Sequence, residues 1–77
     1  GEEMPSTANA EVIRLKGTIK LKPMQPGTTL AYQISNSGTP AANWIPYTDK
    51  PITKKENEYL IVRSHRIGFK YTDQVIE

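Results

Sequence analysis

One histidine, one tryptophan, four tyrosines, one phenylalanine and no cysteine set the chemistry open to this 77-residue chain. His65 stands between Ser64 and Arg66. A structural zinc site needs about four ligands, and His and Cys here cannot supply them, so no metal is expected. Ser64 beside His65 is a nucleophile and a base in name only. Neighbouring strand residues point to opposite faces, whereas a catalytic triad is assembled in space. Ser64 is instead expected to face inward, where only a small side chain fits. The carboxylates Asp49, Glu56, Glu58, Asp73 and Glu77 fall in turns or at strand ends. Paired acids can hydrolyse glycosides only across a cleft, which so short a chain rarely builds. Asp49 lacks an Asp-x-Asp-x-Asp-Gly calcium loop around it. No catalytic residue, cofactor or metal ligand is therefore expected.

The aromatic set is Tyr32, Trp44, Tyr47, Tyr59, Phe69 and Tyr71. Core and rim packing is the leading reading, because each ring buries a large area in a small domain. A platform for sugar rings is the functional one. Trp44 borders a loop and precedes a proline, so Trp44 and Tyr47 are the candidate glycan contacts. Arg63, Arg66 and Lys70 near Tyr71 suggest a third reading, a small barrel gripping single-stranded nucleic acid. Against it stand a net charge of only +2, basic residues mixed with acids, and no glycine-aromatic RNA motif.

These residues need strands to position them. Val12-Ile-Arg-Leu-Lys16 and Thr18-Ile-Lys-Leu-Lys22 alternate with period two, with Ile13, Leu15, Ile19 and Leu21 to one side. Gly17 between them is either a hairpin point or a bulge in one longer bent strand, and the bulge or kink is preferred, since a lone glycine makes a poor hairpin turn. Pro26-Gly27 suits a type II turn. Thr28 to Ser35 is a strand with Leu30, Tyr32 and Ile34 on one face. Residues 36–43 form a loop. Trp44 to Ile52 contains Pro46 and Pro51, so it is an edge strand or an extended crossing. Tyr59 to His65 is apolar on both faces near its start, which implies cover on both sides. Ile67-Gly-Phe69 is a turn, and Phe69 to Val75 closes the sheet. Prolines and glycines cut every helical pattern, so no helix beyond a single turn is expected.

The expected fold is all-β: an immunoglobulin-like antiparallel β-sandwich of about six to seven short strands over residues 11–77. Its core would hold Ile19, Leu21, Leu30, Tyr32, Ile34, Ile52, Leu60 and Val62. Residues 1–10 are polar and small and read as a linker. Gly1 has no Met before it and reads as a residue left by a protease, so a longer parent is expected, with any export signal in the missing part. No apolar run reaches the roughly 18 residues of a membrane span, and no signal peptide is visible.

Three segments carry a family resemblance: Gly27-Thr-Thr-Leu-Ala-Tyr-Gln-Ile34, Trp44-Ile-Pro-Tyr-Thr-Asp-Lys-Pro-Ile52 and Leu60-Ile-Val-Arg-Ser-His-Arg-Ile-Gly-Phe-Lys70. Their order resembles the chitobiase/β-hexosaminidase C-terminal domain and its fibronectin type III-associated relatives, over roughly Gly17 to Val75. Asn36-Ser-Gly-Thr-Pro40 stands where the chitobiase-type branch carries Asp-Gly-Ser-x-Pro. That puts the tail of secreted bacterial sulfatases and related hydrolases in front. The resemblance implies a non-catalytic C-terminal accessory domain of an exported polysaccharide-degrading hydrolase, periplasmic or extracellular. It would pack against the parent catalytic domain and help it hold a glycan. An autonomous carbohydrate-binding module using Trp44 and Tyr47 is the alternative.

Overall fold

The computed structural model describes residues 4–77. Those residues are all-β, with strands β1 (Glu11–Leu15), β2 (Thr18–Lys22), β3 (Thr28–Ser35), β4 (Ile45–Pro46), β5 (Tyr59–Arg66) and β6 (Thr72–Ile76). They form two antiparallel sheets, one of β1-β2 and one in the order β4-β3-β5-β6.

Gly17 does not kink a continuous strand. Lys16 (φ 48°) and Gly17 (φ 79°) both adopt left-handed backbone and close a two-residue hairpin between Leu15 and Thr18. Two consecutive positive φ values match the twist of the flanking strands. The sequence hides this turn because Lys16 stands where Asn or Asp usually does. Pro26-Gly27 turns as expected, with Gly27 at φ 75°.

The two sheets share one apolar interior. Ile19 and Leu21 of β2 meet Leu30, Leu60, Val62 and Ile76 of the larger sheet, with Ile52 and Ala10 completing the cluster. Tyr32 and Ile34, expected within the core, are partly buried and pack against it. Ile52 binds Ile19 through two backbone hydrogen bonds of 2.8 Å, so the proline-bearing crossing ties the sheets together.

β5 is covered on both faces at its start, as its apolar run implies. Leu60, Ile61 and Val62 are all inaccessible to solvent. Leu60 and Val62 face the core. Ile61 faces outward between Gln33 and Val75, beneath the loop of residues 36–43. The Gln33 side chain holds that loop as a strand would: the Ala41 N–H donates to its Oε1 (2.7 Å) and its Nε2 donates to the Ala41 carbonyl (2.9 Å).

The linker expected over residues 1–10 is corrected from Pro5 onward; residues 1–3 lie outside the described residues. Lys70 N–H donates to the Pro5 carbonyl and Thr7 N–H to the Lys70 carbonyl, each at 2.8 Å. Gln74 clamps Ala10 through both its amide oxygen and its amide nitrogen. Thr7 and Ala10 are buried. The segment carries no apolar period because polar bonds to distant residues hold it.

Ser64 is fully buried on the inner face, and its hydroxyl has no hydrogen-bond partner among the described residues. A desolvated hydroxyl without a partner costs about 1–3 kcal/mol. Ser64→Ala is therefore expected to raise the melting temperature, by about 4–8 °C per kcal/mol for a domain of this size. A thermal melt that falls instead would show that the hydroxyl is satisfied.

Candidate functional site

The open half of the larger sheet's outer face carries a cluster of aromatic and charged side chains. Arg63 is on the central strand β5, opposite Ala31 of β3 and Asp73 of β6. Directly opposed residues on one face are within side-chain reach. Arg63 Nε accordingly donates to Asp73 Oδ1 at 2.8 Å, and Nη2 to Oδ2 at 2.9 Å. This bidentate pair is the one ion pair among the described residues.

The guanidinium also lies over two aromatic rings. Its carbon is 4.2 Å from the Trp44 ring centroid and 3.9 Å from that of Tyr71. Trp44 arrives from the 36–43 loop through Asn43, whose φ of 70° redirects the chain just before β4. Tyr71 enters from the connection just before β6. Each cation–π contact adds about 0.5–2 kcal/mol, depending on desolvation. The hydrogen bond to Asp73 raises the Arg63 pKa above its ordinary value, helped by the charge of Asp73 and by Tyr71 and opposed by burial. The stack also pins β4, whose ladder consists of two residue pairs.

Trp44 and Tyr47, the candidate glycan contacts, are not brought together. Trp44 is half-buried on the outer face. Tyr47 turns inward: its hydroxyl accepts from the Leu21 N–H at 3.0 Å, and its ring meets Tyr32 edge-on at 6.5 Å. Tyr47 thus braces one sheet against the other. The three basic residues of the nucleic-acid reading also part company. Arg63 is engaged by Asp73, Arg66 stacks on Phe69 at 4.4 Å, and Lys70 is exposed while its backbone binds Pro5 and Thr7. Ser64 and His65 diverge as strand geometry requires, the first buried and the second exposed. No group of three or more His, Cys, Asp or Glu side chains gathers among the described residues.

Beside the stack is a depression of about 380 Å³, lined by Thr29, Ala31, Trp44, Pro46, Arg63 and His65 among others. Ala31 is the smallest side chain on this part of the face. Sequence reading missed the Arg63–Asp73 pair, although one signal was present. Equal steps outward from Gly68, in the turn between β5 and β6, set Arg63 opposite Asp73. The approach of Trp44 has no such local signal. No protein-family model, curated protein or solved structure matches the chain.

Proposed function

We propose that this chain is an immunoglobulin-like, non-catalytic accessory domain of an exported polysaccharide-degrading hydrolase, with a sulfatase as the leading parent. Its partner would be the catalytic domain of the same polypeptide, in the periplasm or outside the cell. The reading rests on the family resemblance and on one observation. The most strongly polar groups on the open sheet face, Arg63 and Asp73, are locked to each other beside Trp44 and Tyr71. A guanidinium neutralised on one edge and in contact with two aromatic rings is suited to holding a surface in shape rather than to moving protons. The three segments of the resemblance supply β3, the crossing through β4, and β5 with its turn.

The test is the reading frame around this chain, followed by excision. A hydrolase domain encoded in the same frame is expected, and the hydrolase lacking this domain should melt at a lower temperature while cleaving small substrates normally. A frame encoding a nucleic-acid enzyme would overturn the reading.

A second reading, a carbohydrate-binding module, draws on the depression beside Trp44. It uses Trp44 without Tyr47, whose hydroxyl is bonded to the Leu21 backbone.

A further inference from the structure

We infer that the depression beside Trp44 is a subsite for one ring of a neutral glycan, with Trp44, Pro46 and Ala31 against its C–H groups and Arg63 and His65 meeting its hydroxyls. The inference rests on the second reading above and specifies its ligand class.

The lining supports a small amphiphilic ring. Trp44, Pro46 and Ala31 offer apolar surface, and Thr29, Arg63 and His65 add polar groups around it. Sites for small ligands combine an apolar lining with a few placed polar groups in this way. Thr29 and His65 are already linked, the Thr29 hydroxyl donating to the His65 backbone carbonyl at 3.2 Å, and His65 is exposed.

Arg63 decides the charge class. A guanidinium has five N–H donors, and Asp73 engages the Nε and Nη2 edge. That edge is one of the forks through which arginine grips carboxylates and similar anions bidentately. An anionic ligand would also have to compete with the adjacent Asp73 charge. The remaining donors belong to a neutralised pair, which suits hydroxyl oxygens. The rings of Trp44 and Tyr71 fix the guanidinium before any ligand arrives, so little ordering entropy is lost on binding.

Trp44 is the sole tryptophan, so its emission reports the site directly. The whole chain is titrated with oligosaccharides of dextran, xylan, galactan and mannan, and in parallel with dextran sulfate. At least one neutral oligosaccharide is expected to shift the emission with a Kd of about 1 mM, insensitive to added salt. Ala31→Leu, which fills the depression, should abolish the shift. His65→Ala, at an exposed position that leaves folding intact, should weaken it about 2–10-fold. Binding of dextran sulfate alone, weakening as salt rises, would overturn the neutral class and leave the carbohydrate reading standing. Silence toward every glycan would overturn both. A neutral-glycan response unchanged by Ala31→Leu and by His65→Ala would put the sugar elsewhere and overturn the subsite.

Discussion

Leu60→Ala is expected to unfold the isolated domain or to lower its melting temperature by more than about 10 °C. Leu60 is inaccessible to solvent on the inner face of β5, paired with Ile34 on one side and Ile76 on the other. Truncating a buried leucine costs about 2–5 kcal/mol, through lost transfer energy and the cavity left behind. A domain of this length has roughly 4–12 kcal/mol in total, and no disulfide is present to offset the loss. The matched control is Ile67→Ala at the tip of the β5–β6 turn, where the side chain is 90% exposed. That variant should melt within about 0.5 kcal/mol of the parent chain. If Leu60→Ala melted as late as Ile67→Ala, the shared interior would be misassigned.

Starting the chain at Glu11 is expected to be nearly as damaging. It removes Thr7 and Ala10, both buried. It also takes away the acceptors of the Lys70 N–H and the Thr72 hydroxyl, and both partners of the Gln74 amide. The Arg66 N–H loses the Thr7 hydroxyl as well. Each polar group left buried without a partner costs about 1–3 kcal/mol, so the shortened domain should melt at least 10 °C lower or fail to fold. Gln74→Ala in the full chain isolates part of the effect and should cost about 1–2 kcal/mol. Retention of the parent melting temperature by the shortened chain would make the segment the linker its composition suggests.

These two experiments mark the boundary of what the amino-acid pattern reveals. Leu60 was legible because strand burial follows a period of two, and Leu60 and Val62 sit in phase with Leu30 and Ile34 across the ladder. The covered outer side of β5 was legible too, since Ile61 interrupts an alternation that solvent would otherwise require. The edge placement of the Trp44 segment followed from Pro46, which cannot donate to a central ladder. Residues 5–10 were illegible for the converse reason. Their bonds are polar, run to Gln25, Arg66, Lys70, Thr72 and Gln74, and leave no period. The hairpin at Gly17 was the less favoured of two readings because Lys16 is an unusual residue for left-handed backbone.

The candidate site divides along the same line. Trp44 was visible as a tryptophan between a loop and a proline, and Arg63 as a charge on a strand. Pairing them with Tyr47 and with Arg66 and Lys70 respectively was a matter of proximity in the chain. In the folded chain Tyr47 bonds inward to the Leu21 backbone, while Trp44 reaches across the sheet to Arg63, Asp73 and Tyr71.

By itself the sequence determined an all-β chain, most of its core, and the positions of most of its turns, because those depend on side-chain alternation and on proline and glycine backbone preferences that act within a few residues. Only the tertiary structure decided that residues 5–10 belong to the fold and that Trp44, Arg63, Tyr71 and Asp73 form one surface. Those arrangements depend on strand order and on loops folding back over a sheet, and the groups involved are brought together by the register of segments far apart in the chain rather than by any local preference.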